Sequence, residues 1–441
     1  MGDVPDDHLP RALSAKFKED FAYPTVKDRM PVILTKAIDT LHQQKAAIRE
    51  EYGESGTEDL KGIVARMSKL RNELQTDKVL IEMTDILPDV AVWNSYLQEE
   101  GEREGEAPRW FLSPWLYTEC YFYRRISEAI QLSNQLKHLD PFQQQKENAL
   151  VTSHKAILAL GQYMDACSNH LSFEESKKIF SLLFKVCLWG NKCDLSISAG
   201  RENSQKFNPL SQLDNLASYL LTDDVNSVWE HLEKINSSSS NTPNTRVDIV
   251  LDNAGFELFT DLCLSEFLLD QKIAKEVHFH AKSIPWFVSD VTTRDWNYTL
   301  NKLVSSEEEV LNKLGRKWQQ RLSDGSWKFN IHPFWTLPHD FSKMKVVAPD
   351  LYSQLRHSHL ILFKGDLNYR KLVGDYKWDP VTSFKESLRG FHPAPVCALR
   401  TLKCDTVVGL RSGQAEAAAK TGEKWMLDGN FGVIQFCSDV L

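Results

Sequence analysis

The chain has no uninterrupted apolar run of 18 residues, so no segment of it reads as a membrane-spanning helix. Its opening, MGDVPDDHLPR, lacks the apolar core of a secretory signal, and a cytoplasmic location is expected. Eight cysteines include no CxxC pair, and Cys187 and Cys193, the two closest in sequence, read as reduced thiols. The sequons at Asn236 and Asn297 then carry no meaning, because such a chain does not meet the glycosylation machinery. There is no excess of basic residues: 52 Lys and Arg against 60 Asp and Glu leave a net charge of −8, which argues against nucleic acid as the main partner. A GxxxxGK[ST] loop is absent, which removes a P-loop nucleotide site.

What remains is an ordinary globular composition, with 42% hydrophobic and 25% charged residues, which excludes wholesale disorder. At 441 residues two domains are expected. After a polar tail over residues 1–22, residues 23–235 show helical periodicity. One stripe is Val32, Ile33, Ala37, Ile38 and Leu41; another is Leu60, Ile63, Val64, Met67 and Leu70. Glu100–Glu106 reads as an exposed charged loop, and Trp189–Asp194 as a helix end. Gly200–Phe207 reads as a polar loop, and Asn236–Thr245 (NSSSSNTPNT) as the linker. Beyond it, over 246–441, strands alternate with helices: Val247–Leu251, Val277–Phe279 with Phe287–Val288, Leu360–Phe363, Val396–Leu399 and Val433–Phe436 are the strands. The pattern predicts an α/β fold in which a helical amino-terminal region packs on a βα-alternating sheet.

Four clusters fall at strand ends, where open α/β sheets place their ligand crevice. They are Asp252-Asn253, Asp290, the run Lys364–Lys371, and Arg400–Lys403. A lone Asp after a strand is more often a turn former or helix cap than a ligand, and Arg400 and Lys403 alone could merely solvate a sheet edge. The conjunction of all four favours a site. Two carboxylates about 4 Å apart repel by roughly 4 kcal/mol at an effective dielectric near 20. They need a shared proton or a divalent cation, and Asn253 adds a ligand oxygen without adding charge. Asp252, Asn253 and Asp290 would suffice for such an ion, while Arg370 and Lys403 read as cations for a phosphate. His278 and His280 alternate on one strand and offer a second, weaker metal pair.

Two further absences bear on the chemistry. The turn Asp252-Asn253-Ala254-Gly255 replaces the glycine-rich turn of dinucleotide and S-adenosylmethionine folds. The aspartyl-phosphate pattern DxDx[TV] fails at Ala254, which favours activated water over a covalent intermediate. A non-catalytic alternative would use Trp110, Trp115 and Trp189 as a partner surface, although aromatics at helical spacing are usually core.

At these residues the chain resembles the metal-dependent damage-control phosphatases, in the sugar-phosphate subfamily III also named acidic residue methyltransferases. The likeness is carried by WGNKCDLS (189–196), VLDNAGFEL (250–258), IPWFVSD (284–290), FWTLPHD (334–340), LILFKGDLNYRKL (360–372), GFHPAP (390–395) and RTLK (400–403), which fits that subfamily's RTxK motif. The resemblance implies a three-layer α/β/α domain with a mainly parallel sheet, preceded by an all-α domain, and a divalent metal (Mn²⁺, Ni²⁺, Co²⁺ or Mg²⁺) on Asp252, Asn253 and Asp290, the same three residues being catalytic and in contact with substrate. It implies further substrate contacts from Asp366, Leu367, Asn368, Tyr369, Arg370 and Lys403, and substrates such as fructose 1-phosphate and fructose 6-phosphate. It also implies a second activity, S-adenosylmethionine-dependent methylation of protein glutamates, with Glu257 as the methyl donor's contact. A cytoplasmic protein with the nucleus as a second compartment, without membrane or nucleic-acid partners, completes the expectation.

Overall fold

Among the described residues seven strands form one sheet in the order β1-β7-β6-β5-β2-β3-β4. They are β1 (Leu220–Asp223), β2 (Arg246–Val250), β3 (Glu276–Ala281), β4 (Trp327–Ile331), β5 (Leu360–Lys364), β6 (Val396–Thr401) and β7 (Gly432–Cys437). A computed structural model describes residues 9–167, 171–198, 216–238, 245–422 and 424–439 of the chain. All pairs are parallel except β6–β7, which is antiparallel. From β2 the chain proceeds outward to β3 and β4 on one side, while β5 returns to β2's other side and leads to β6. The order therefore reverses between β2 and β5, and a crevice opens at their carboxyl ends.

The sheet is buried on both faces, as parallel strands with helical crossovers must be. Along β5, Leu360 and Leu362 join one apolar cluster and Ile361 and Phe363 the other, the period-2 alternation of a two-faced strand. Helix Phe256–Asp270 is buried on every side up to Leu269, its acids included, because it lies between the sheet and helix Phe173–Ser198. The amino-terminal helices Met30–Gln43, Lys45–Gln75 and Trp115–Gln131 cover the opposite face.

Several local expectations change. Phe287 and Val288 are not strand but a tight turn with positive φ (44° and 69°), closed by Asp290 N–H donating to the Trp286 carbonyl at 3.1 Å. Glu100–Glu104 belongs to helix Val90–Glu104, and Glu100 is buried; the charged run ends only at the left-handed Gly105. The helix begun at Phe173 runs through Trp189–Asp194 to Ser198. The inward stripe of helix Met30–Gln43 is Met30, Leu34, Ala37 and Leu41, leaving Val32 half exposed. The region read as wholly helical contains β1, which joins the sheet beside β7, and its helices divide between the two faces. Helix Val225–Ser238 extends into the expected linker, of which 239–244 lie outside the described residues, as does the Gly200–Phe207 loop. Trp110, Trp115 and Trp189 are each at most 2% exposed, so they form core and offer no partner surface.

Candidate active site

The residues that end the strands meet in one cavity of about 390 Å³ at the carboxyl edge of β2 and β5. Its floor carries Asp252, Asn253, Ser289, Asp290, Asp366, Leu367, Arg370 and Lys403; its roof comes from the helical region. Local backbone pairing explains the first four. The segment after β2 runs antiparallel to the segment after β3: Asn253 bridges Asp290, Ala254 N–H donates to the Ser289 carbonyl, and Val291 N–H to the Asp252 carbonyl, both at 2.8 Å. Asp252, Asn253 and Asp290, separate in sequence, are thereby neighbours in space.

Side chains then lock this corner. Asn253 Nδ2 donates to Asp252 Oδ2 at 2.7 Å and to Glu257 Oε2 at 2.8 Å, and Ser289 Oγ donates to Asn253 Oδ1. Lys282 Nζ lies 2.9 Å from Asp290 Oδ2 and donates to the Leu251 carbonyl at 3.1 Å. Behind Glu257, Lys364 Nζ contacts Glu257 Oε1 at 3.3 Å and Asp261 Oδ1 at 2.7 Å, with no solvent access. Gly365, at φ +84°, brings the β5 turn against the Asp252 carboxylate so closely that a Cβ there would lie 1.9 Å from Oδ2. Only glycine meets both demands.

Charge in this corner is poorly balanced. Burial, reinforced by Glu257 and Asp290, pushes the Asp252 carboxyl well above its usual range, although Lys403 and Lys282 oppose it. Burial also raises Asp290, against the pull of Lys282. Asp366 differs: it is only partly buried, and Arg400 and Arg370 hold it below the usual carboxylate range against the cost of desolvation. Its Oδ1 accepts from Arg400 Nε at 2.8 Å and from Lys403 N–H at 3.2 Å, which fixes the turn that aims Lys403 at the cavity.

Two hard carboxylates kept uneasy by burial, plus an amide oxygen with a lone pair left beyond the Ser289 bond, fit a divalent cation. Among the described residues no group of three or more His, Cys, Asp and Glu is arranged for a metal, so a site here has to recruit the amide of Asn253.

The remaining expected residues separate. Leu367 and Arg370 line the cavity with Asp366. Arg370 is not free for a phosphate: its guanidinium chelates Asp375 with two 2.8 Å bonds, reaches Glu119 at 2.5 Å and stacks 3.7 Å above the Trp115 ring. Asn368 is buried and donates to the Lys364 carbonyl at 2.7 Å; Tyr369 is buried and donates to Gln435 at 2.9 Å. Neither side chain lines the cavity. His280 bonds Asp248 at 2.7 Å and His278 sits 3.2 Å from Glu276, so the strand histidines serve carboxylates outside the cavity. The sequence reading missed Lys282, Ser289 and the roof residues Thr25, Arg29, Lys36 and Gln145. Lys282, next after β3, carried a readable strand-end signal; the roof carried none, since a cation on a helix reads as a solvent face.

The chain matches the model of the Damage-control phosphatase ARMT1-like domain over residues 25–418. It is similar to damage-control phosphatase ARMT1 of Danio rerio (47% identical over 435 residues, 97% of each chain). The Mus musculus relative of that name is 48% identical over 439 residues, 97% of this chain and 98% of its own. The Homo sapiens one is 45% identical over 435 residues, with the same coverage. A solved DUF89 family protein from Pyrococcus horikoshii covers 74% of this chain and 86% of its own at a TM-score of 0.39 and 15% identity, a likeness too loose to bear on the site. With 394 consecutive positions inside the family model and the relatives matched nearly end to end, the chain belongs to the ARMT1-like damage-control phosphatases.

Proposed function

We propose that this phosphatase-family chain is divalent-metal-dependent and hydrolyses phosphorylated ketoses such as fructose 1-phosphate and fructose 6-phosphate. The observation that carries the reading is the convergence of Asp252, Asn253 and Asp290 in one cavity with Lys403, whose ammonium has no ion-pair partner among the described residues. Asp252, Asn253 and Asp290 would hold the ion (Mn²⁺, Ni²⁺, Co²⁺ or Mg²⁺), which when bound supplies Lewis-acid charge and a more acidic water. Lys403 draws in the phosphate and offsets charge on its oxygens. Asp366, kept ionised by Arg400, holds the Lys403 turn in place. Lys282 and Lys364 balance Asp290 and Glu257 from behind, so the floor keeps its geometry as charge develops above it.

The partners implied are a small phosphorylated sugar and, under the methyltransferase alternative, a protein glutamate with S-adenosylmethionine. That alternative draws less support. Glu257, its expected contact, already spends Oε1 on Lys364 and Oε2 on Asn253. No helix among the described residues is long and apolar enough to cross a membrane.

Purified protein should release phosphate from fructose 1-phosphate with added Mn²⁺ and stop on chelation. Asp252→Ala should remove turnover while the chain stays folded. Full activity in Asp252→Ala would sink the assignment. Saturable S-adenosylmethionine binding by calorimetry, with base-labile methyl incorporation into protein, would turn the reading toward methyl transfer.

A further inference from the structure

We propose that Arg29 and Lys36, both from the helical roof, grip the anionic phosphate of the substrate, so that the site is completed across the cavity by the helical region. The inference rests on the phosphatase reading for the identity of the anion, and on the following geometry for the residues.

Four cationic side chains line the cavity: Arg29, Lys36, Arg370 and Lys403. Arg370 is consumed by Asp375 and Glu119. Lys282, just behind the floor, is committed to Asp290. That leaves Lys403 alone on the floor beside Asp252, Asp290 and Asp366. Even with Asp366 paired to Arg400, Asp290 to Lys282 and a divalent ion on the acidic corner, the floor itself offers a dianion only one uncommitted side-chain cation among the described residues. Arg29 and Lys36 correct the balance from above. Neither has an ion-pair or hydrogen-bond partner among the described residues; Arg29 only passes 5.3 Å over the Phe21 ring.

Their placement follows helical phase. Arg29, Ile33, Lys36, Ala37 and Thr40 all line the cavity, with spacings of four, three, one and three residues that keep them on one face of the wide turn Thr25–Arg29 and helix Met30–Gln43. Arg29 also lies close enough for its charge to act on Glu119 and Tyr123, two cavity-lining groups of another helix. Chemistry divides the labour: a guanidinium presents a planar fork to two phosphate oxygens, and an ammonium adds a mobile point charge.

The test compares the full-length wild type with Arg29→Gln, Lys36→Gln, the double variant and the charge-preserving Lys36→Arg. Inorganic phosphate is the probe, titrated by calorimetry with and without Mn²⁺, alongside fructose 1-phosphate kinetics. Both residues are exposed, so the variants should keep the wild-type Tm. The double variant is expected to weaken phosphate binding about tenfold or more and to raise KM in parallel, with Lys36→Arg close to wild type. Wild-type phosphate affinity in the double variant overturns the inference, as does a wild type that binds no phosphate with or without Mn²⁺. If the wild type binds phosphate through Arg29 and Lys36 yet cleaves no sugar phosphate, the proposed substrate falls while this assignment stands.

Discussion

The backbone of Gly365 faces the carboxylate of Asp252 with no room for a single added carbon, at a φ of +84° that side chains rarely adopt. A methyl group there would lie 1.9 Å from Oδ2 and 2.1 Å from Cγ, far inside van der Waals contact, and would strain the turn at once. Gly365→Ala is therefore expected to lose activity by about a hundredfold, because misplacement of a reacting group by an ångström has that scale. Steady-state kinetics with a circular-dichroism check of folding tests it. Near-normal kcat in a folded Gly365→Ala protein would show that Asp252 tolerates displacement.

Asn253→Asp probes the charge balance of the same corner. The amide nitrogen donates to Asp252 and Glu257, and a carboxylate in its place adds repulsion of roughly 4 kcal/mol per close neighbour before protonation relieves part of it. The metal-free variant should melt several degrees below wild type, and Mn²⁺ should recover more Tm than it adds to wild type. Equal metal-free Tm values would count against a crowded acidic corner.

Arg370 predicts a stability effect of a different kind. It is the ionic tie between helix Gly365–Val373 and Glu119 on helix Trp115–Gln131. Arg370→Ala leaves Glu119 and Asp375 buried without the guanidinium that bonds both, a loss of about 3–5 kcal/mol. Arg370→Lys cannot reproduce the forked bond and should recover only part. Denaturant melts decide it; a neutral Arg370→Ala would mean that water replaces the guanidinium.

Glu104 gives the pH dependence. Burial pushes its carboxyl up to about 7, with Glu100 adding to the rise and Ser113, which donates to Oε2, opposing it. A raised folded pKa means the unfolded chain loses its proton first, so this group's contribution to stability falls as pH climbs from the ordinary glutamate range to about 7 and stays low above that. Glu104→Gln keeps an oxygen for Ser113 and removes the penalty. Its Tm advantage over wild type should be near zero at pH 4.5 and reach on the order of 1–2 °C at pH 8 for a half-buried group in a chain of this size. A constant offset across that range would rule out Glu104 as the titrating group.

The strand-end acids were legible because β2 and β5 are short buried apolar runs whose first polar residues must lie in the crevice. Asp252 and Asn253 follow β2, Asp366 follows β5 and Lys403 follows β6, whereas Lys364 and Arg400, the first polar residues of β5 and β6, are spent on Glu257, Asp261 and Asp366. The run Asp366–Arg370 was read as one contiguous contact, but a helix starts at Gly365, and only 366, 367 and 370 share the cavity face of a 3.6-residue turn. Asn368 and Tyr369 point into the sheet and toward Gln435. Phe287 and Val288 carry strand-forming side chains, yet the pairing of Asp252–Ala254 with Ser289–Val291 forces a left-handed turn on them, a tertiary demand that local propensity does not record. β1 escaped notice because four residues with one buried side chain give no alternation to detect.

That edge strand has a consequence for the order in which the molecule acquires its shape. Among the described residues Leu220–Asp223 has its ladder partner only in Gly432–Cys437, and Asp224 accepts a hydrogen bond from Phe436 N–H across a sequence separation of 212. Until the distant strand docks beside β6, this earlier one has nothing to zip onto and its amides stay open to solvent. Amide protons in both segments should therefore become slow to exchange together, as one late cooperative step in assembly.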